Sequence, residues 1–148
     1  MNESELAENL ALLDGRGTDR EWAAVQRLRD ELGDRLPDIL LEHFKLSRAA
    51  GVRASCVYHS LKHARSSDAA IELGKLALKD RANAVRYRGS MLLAYSLRKE
   101  LLPFLRELAS SRDGDKSDIL AAIDAIEHSN HHYFVDREHT GKLTLQVR

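Results

Sequence analysis

The chain has 148 residues, a length that suits one domain able to bury most of its apolar surface. Lys plus Arg number 23 and Asp plus Glu number 23, so the formal net charge is 0, and 43% of residues are hydrophobic. This balance excludes a disordered chain and a simple polycation. One cysteine, an acidic start and the lack of a long apolar run favour a cytoplasmic protein with no membrane segment and no disulfides.

The first clear element in chain order is a helix that begins just after Thr18. Thr18 followed by Glu21 forms a capping box ahead of apolar residues at helical spacing, and Gly33 marks the end of that helix. Pro37 suits the first turn of the next helix. The apolar side of that second helix continues to Gly51, which we predict as its terminator.

The middle of the chain repeats a helical pattern. Val52 and Arg53 align with Val85 and Arg86 at an offset of 33 residues, and a further step of about that size reaches the helix-forming segment 117–128. A fixed period in this range is typical of stacked helical pairs, because one pair cannot bury its apolar face alone. The pattern therefore predicts an α-solenoid.

The segment "LALKDRANAVRYRGSMLLAYSL" resembles a HEAT repeat of the short bacterial type, with Asp80 placed before Val85 and Arg86. "VRASCVYHSL" resembles a weaker copy, and "SDILAAIDAI" a third copy that lacks the Val-Arg pair. The resemblance implies a right-handed stack of antiparallel helix pairs that serves as a binding scaffold, with no shared catalytic residues. It also implies that Asp80 and Arg86 belong to a structural ladder between repeats, a role that Arg53 could share.

We predict an all-α protein: a HEAT-like α-solenoid of antiparallel helix pairs with a short C-terminal β-hairpin. The hairpin rests on Leu143, Leu145 and Val147, which alternate after a polar turn. Such a hairpin would cover the apolar end of the stack. The single domain, 1–148, divides into N-terminal capping helices (1–35), HEAT-like repeats (36–129) and the hairpin cap (130–148).

Charge is unevenly distributed along the chain. Residues 36–100 carry a net charge of +6, whereas the segments before and after them carry −4 and −2. The second helices of successive pairs line the concave face of a solenoid, so the basic groups of this section would form a positive stripe there. Arginine and tyrosine side chains are enriched at interface hot spots, and we predict five partner-binding residues: Arg53, Lys62, Tyr87, Arg88 and Arg98.

Two histidine clusters raise the question of a metal site. Cys56, His59 and His63 share one face of a predicted helix, a pattern that fits either a zinc ligand set or buried core residues with a histidine at the helix end. A second cluster surrounds the predicted hairpin and matches no metal motif; Asp136 there could instead brace the turn. Its histidines are His128, His131, His132 and His139. We assign no metal to either cluster and leave the second one open.

The sequence contains no phosphate-cradling glycine loop and no nucleophile elbow. Ser60 next to His59 is not a catalytic arrangement, because adjacent residues on a helix point to different sides. We therefore predict a non-catalytic scaffold with no cofactor that binds one protein partner. Small repeat proteins of this kind resemble bacterial adaptor subunits and immunity proteins that mask a toxin domain.

Two other functions remain open. Helical-repeat DNA glycosylases hold the phosphate backbone in a positive groove, which makes nucleic-acid binding the main alternative. A sequence pI near 7.1 and 5% aromatic residues weigh against it. A resemblance to phycobilin-lyase-type repeats, which embrace a chromophore, is the third possibility.

Overall fold

Every residue from 1 to 148 is described by the computed structural model, which contains helices and irregular segments but no strand. The all-α prediction is therefore confirmed. The eight α-helices are α1 (Glu3–Ala11), α2 (Asp19–Leu32), α3 (Leu36–Leu46), α4 (Ala50–Tyr58), α5 (Asp68–Leu78), α6 (Asn83–Ser96), α7 (Leu102–Ser111) and α8 (Ser117–Glu127). No helix is both long enough and apolar enough to cross a lipid bilayer.

The capping signals place the start of α2 correctly. The Thr18 side chain accepts a hydrogen bond from the backbone N–H of Glu21 at 3.3 Å, and Gly33 follows the last residue of the helix with a φ of +52°. The start of α5 is capped in the same way, because Ser67 Oγ accepts the N–H of Ala70 at 3.1 Å. Both boundaries follow from local hydrogen-bonding chemistry.

The predicted end of α3 at Gly51 is wrong. α3 stops at Leu46, and Gly51 lies instead in the first turn of α4. The glycine serves a contact between segments: a Cβ added there would sit 2.6 Å from the carbonyl oxygen of Asp14. Gly15 faces Gly51 from the other side of this contact, with a φ of +81° that side chains rarely adopt. The loop between α1 and α2 is therefore held close against α4.

α4 is also shorter than predicted. It ends at Tyr58 and is followed by a 3-10 turn, Leu61–His63, so Cys56 and His63 do not lie on one continuous helix. The expected single face of Cys56, His59 and His63 is accordingly wrong. The chain turns here because Leu61 and Ala64 are buried and must fold back onto the core.

Helices pack both within and between consecutive pairs. α3 contacts α4, α5 contacts α6 and α7 contacts α8, while α4 contacts α6, α6 contacts α8 and α3 contacts α5. The approach of α5 and α6 is close, since a Cβ on Gly89 would meet Ala77 Cβ at 2.7 Å. One core of 32 buried residues runs from Leu13 to Leu145, so the first helices and the C-terminal segment share it.

The predicted C-terminal β-hairpin is wrong. The chain forms a short 3-10 helix, His131–Phe134, followed by irregular backbone. The Asp136 carboxylate accepts hydrogen bonds from the backbone N–H groups of Thr140 and Gly141, each at 2.8 Å. Asp136 therefore braces a turn, which was one of the two roles considered for it in the sequence. The backbone N–H of Leu145 donates to His132 Nδ1 at 2.9 Å rather than to a carbonyl oxygen of a neighbouring strand. The segment still covers α6 and α8 through the 3-10 helix.

Candidate functional site

Arg53, the first predicted contact residue, is buried and forms an ion pair with Asp80. Its Nε donates to Asp80 Oδ2 at 2.8 Å and its Nη2 donates to Asp80 Oδ1 at 3.1 Å. The hydrogen bond with Asp80 raises the pKa of Arg53; burial raises the pKa of Asp80, but bonds from Arg53 and the Ala82 N–H together bring it below its usual value. The guanidinium therefore joins α4 to the loop before α6.

The Arg53–Asp80 contact has the structural role that the repeat resemblance allowed for Arg53. The Asp80 carboxylate pairs with Arg53 of the preceding helix pair, not with Arg86. Arg86 donates instead to the Asp80 carbonyl at 2.9 Å and to Asn83 Oδ1 at 2.8 Å. Arg86 therefore contacts the backbone of Asp80, while the carboxylate of Asp80 pairs with Arg53.

The remaining predicted contact residues lie in unlike surroundings. Arg98 donates to Asp68 at 3.0 Å, and Tyr87 packs against Phe134 with ring centroids 5.5 Å apart. Lys62 is exposed in the 3-10 turn after α4. These positions do not form one continuous stripe of free charge.

Arg88 lines a pocket of about 180 Å³. The pocket lies between the α1–α2 loop, the first turn of α2, α4 and α6, and we call it the Arg88 pocket. Its polar and aromatic side chains are Glu21, Trp22, Ser55, Tyr58, His59 and Arg88. Sequence reasoning singled out Arg88 but did not bring it together with the other five.

Glu21 forms the polar centre of the Arg88 pocket. Its Oε2 accepts hydrogen bonds from Ser55 Oγ at 2.8 Å and from His59 Nε2 at 2.7 Å, and its Oε1 accepts the Gly17 N–H at 3.1 Å. Burial raises the pKa of Glu21, but these three hydrogen bonds bring it below its usual value. The carboxylate is therefore ionised at neutral pH although it is only 3% exposed.

His59 is held neutral beside this carboxylate. Burial lowers the pKa of His59, and nearby Arg29 and Arg88 lower it further, while Glu21 acts in the opposite direction. A neutral ring that donates from Nε2 carries its lone pair on Nδ1. His59 Nδ1 is buried and has no hydrogen-bond partner in the chain.

The hydroxyl and the imidazole do not form a nucleophilic relay. Ser55 and His59 both bond to the same oxygen of Glu21, so the serine hydrogen points to the carboxylate rather than to the ring. In a nucleophilic triad the base must bond to the nucleophile. The arrangement instead fixes the rings of His59, Trp22 and Tyr58, which meet edge to face at 5.0 to 6.0 Å.

A signal for this pocket was present in the sequence. Glu21 stands one helical turn before Val25 and two before Leu28, on the apolar side of α2, where an ionised side chain needs buried partners. Gly15 and Gly17 lie beside it in the loop that joins α1 to α2. Their positive φ angles and the Gly17 N–H bond shape one wall of the pocket.

The histidine clusters are dispersed among other contacts. No group of three or more His, Cys, Asp or Glu side chains is arranged to hold a metal ion. His128 and His139 both bond to Asp124, at 3.0 and 2.6 Å, and His131 accepts a hydrogen bond from Arg65 at 2.9 Å. Burial of Cys56 raises the pKa of its thiol to about 12, which disfavours the thiolate that metals bind.

No protein-family model, no curated protein and no solved structure gives a significant match to this chain.

Proposed function

We propose that this protein is a non-catalytic scaffold that binds one protein partner through the face containing the Arg88 pocket. The observation that carries the proposal is Arg88: it is half-buried at a pocket with aromatic walls and has no oxygen acceptor in the chain. An arginine of this kind, surrounded by tyrosines, has the character of an interface anchor. Lys62, exposed after α4, is the second basic residue in the proposal.

The proposed scaffold is a HEAT-like stack of the pairs α3–α4, α5–α6 and α7–α8. Contacts of α4 with α6 and of α6 with α8, and the Arg53–Asp80 ion pair between neighbouring pairs, support this arrangement. Adaptor or immunity proteins are the roles that such a module would serve. An immunity role predicts that co-expression rescues cells from the partner's toxicity.

Nucleic-acid binding is a weaker alternative. Arg53 and Arg98 are already paired with carboxylates, so less free positive charge is available for phosphates than the sequence suggested. Duplex DNA should therefore bind weakly or not at all, as a gel-shift assay at low salt would measure. Tight DNA binding that weakens steeply with added salt would favour this alternative over protein binding.

The proposal is tested by affinity purification from the native cell, followed by binding measurements with each captured and purified protein. The double variant Arg88→Glu with Lys62→Glu should lose the partner while its helical circular dichroism stays unchanged. A matched double variant, Arg106→Glu with Lys142→Glu, changes two exposed basic residues outside the pocket and should keep the partner. Equal binding by both variants would refute the assignment of the binding face.

A further inference from the structure

Arg88 differs from every other arginine that is at least partly buried. Each of the others donates to an oxygen atom: Arg29, Arg53, Arg86, Arg98 and Arg112. Arg88 reaches only Met91 Sδ, at 4.0 Å, and the ring faces of Tyr58 and Tyr87. No nitrogen of Arg88 is among the buried donors that lack a partner, so the group stays within reach of solvent and can pair with a ligand that supplies an acceptor.

The stacking on Tyr58 orients the Arg88 guanidinium. The central carbon lies over the Tyr58 ring, 4.5 Å from its centroid, and the single hydrogen-bond contact of the group is that of Nη1 with Met91 Sδ. The edge of a guanidinium presents two parallel N–H groups. That fork matches the two oxygens of a carboxylate or phosphate.

The charge of the pocket distinguishes between these two anions. Glu21 is ionised and lines the same pocket as Arg88. Its carboxylate oxygens already accept three hydrogen bonds. A second carboxylate adds one negative charge near Glu21, whereas a phosphate dianion adds two and meets stronger repulsion. The lining holds one anion, Glu21, and one cation, Arg88, so a bound monoanion leaves a net charge of −1 in the pocket and a dianion leaves −2. A monoanion is therefore favoured.

The size and walls of the pocket limit the rest of the ligand. A volume of about 180 Å³ is below the range of about 300 to 1,000 Å³ typical of pockets that enclose whole drug-sized ligands. It has room for about six water volumes, which is the scale of a side chain or a small acid. The rings of Trp22 and Tyr58 provide apolar surface for such a group.

We propose that the Arg88 pocket binds a carboxylate carried on a small apolar or aromatic body, with both oxygens paired to the Arg88 guanidinium and the body against Trp22 and Tyr58. The inference rests on the pocket of the proposed function and deepens it by naming the chemistry of the group that enters. The carboxylate belongs either to an acidic residue of a protein or to a free small acid.

Trp22 makes the inference directly testable. It is the single tryptophan of the chain and it lines the pocket, so its fluorescence reports on occupancy. Benzoate added to the full chain should change this fluorescence saturably, with a Kd of about 1 mM or tighter. Benzamide has the same shape without the charge and should bind at least about tenfold more weakly. Equal binding of benzoate and benzamide would overturn the inference.

Two variants assign the charge requirement to Arg88. Arg88→Gln should weaken benzoate binding at least about tenfold. Arg106→Gln is the matched control, because Arg106 is exposed on α7 and pairs with Glu127 away from the pocket. Unchanged benzoate binding by Arg88→Gln would refute the inference. The backbone amide NMR signals of Gly15 and Gly17 give a second readout, and absence of any saturable change in both readouts refutes it as well.

Further probes identify the anion and its source. Inorganic phosphate that binds more tightly than benzoate would overturn the preference for a monoanion. A blocked tripeptide with a central glutamate that binds more tightly than benzoate supports a protein side chain as the ligand, and the reverse order supports a free acid. Benzoate binding lost in Arg88→Gln, together with partner capture that survives Arg88→Glu, would refute the proposed function and leave the carboxylate site intact.

Discussion

Two arginines on the neighbouring helices α4 and α6 have opposite surroundings. Arg53, near the start of α4, is buried and bonds to both oxygens of Asp80. Arg88, on α6, is half-buried at a pocket and bonds to no oxygen. The comparison teaches that burial of an arginine does not define its role. Its role depends on the acceptors that the fold supplies. A guanidinium whose N–H groups are bonded within the chain joins helices, and one without an oxygen acceptor is available to a ligand.

The largest expected effect on stability concerns Arg53, the arginine that is bonded within the chain. Arg53→Ala should reduce the free energy of unfolding by about 3 to 5 kcal/mol, because it leaves the Asp80 carboxylate, whose side chain is 9% exposed, without its partner. Urea unfolding followed by circular dichroism measures this loss. Binding of benzoate by the folded variant should stay near the wild-type level.

Arg98→Ala is the matched control for Arg53→Ala. Arg98 also pairs with a carboxylate, but the side chain of its partner Asp68 is 98% exposed. Exposed ion pairs contribute little, so this variant should cost less than about 1 kcal/mol. Equal losses in the two variants would mean that burial of the Arg53–Asp80 pair has no energetic consequence.

The next effect concerns the polar centre of the pocket. Glu21→Gln should cost about 1 to 3 kcal/mol, because one amide oxygen replaces a carboxylate that accepts from Ser55, His59 and Gly17. Glu107→Gln, an exposed carboxylate on α7, should stay within about 0.5 kcal/mol of the wild type. Chemical unfolding of both variants tests the prediction, and a neutral Glu21→Gln would contradict the assigned hydrogen bonds.

These residues also show where sequence reasoning stops. Thr18 and Glu21 fixed the start of α2 because a cap involves neighbours in the chain. The partners of the Glu21 side chain, Ser55 and His59, lie 34 and 38 residues away, so only the fold brings them together. The presence of a buried carboxylate on α2 was open to prediction. The identity of its partners was not.

The C-terminal segment illustrates the opposite failure. Alternation at Leu143, Leu145 and Val147 is a local signal for extended backbone, and Leu145 is indeed buried. A strand additionally needs a ladder partner, which is a nonlocal requirement. Here the Leu145 N–H bonds to His132 instead, so the segment remains irregular. The alternation of apolar residues therefore predicted the burial of Leu145 but not the hydrogen-bond partner of its backbone.

Acidification should weaken the fold gradually. Burial lowers the pKa values of His43, His59, His63 and His131 below the ordinary histidine value. These groups take up protons near pH 6.5 in the unfolded chain, about the ordinary value, but remain neutral in the folded chain until the pH is lower. The unfolded state then binds more protons, so stability is lost as the pH falls below about 6.5. Melting temperatures between about pH 7.5 and about pH 5.5 measure the decline.

The variant His59→Gln separates the pocket histidine from the other three. Glutamine can still donate to Glu21 but does not titrate, so the melting temperature of this variant should fall less steeply with acidification than that of the wild type. The comparison uses the slope rather than the absolute stability, because the substitution itself changes packing. An unchanged slope would show that the neutral state of His59 contributes nothing to the pH dependence.

The smallest expected effect on stability concerns Arg88, the arginine without an oxygen acceptor. Arg88→Gln should change the free energy of unfolding by no more than about 0.5 kcal/mol, because the loss of stacking on Tyr58 is offset by removal of a half-buried charge without an acceptor. Urea unfolding beside Arg53→Ala gives the measurement. A loss as large as that of Arg53→Ala would place Arg88 among the structural arginines and remove the reason for assigning it to a ligand. A neutral result combined with weakened benzoate binding would separate the two arginines by function, although they lie on helices that pack against each other.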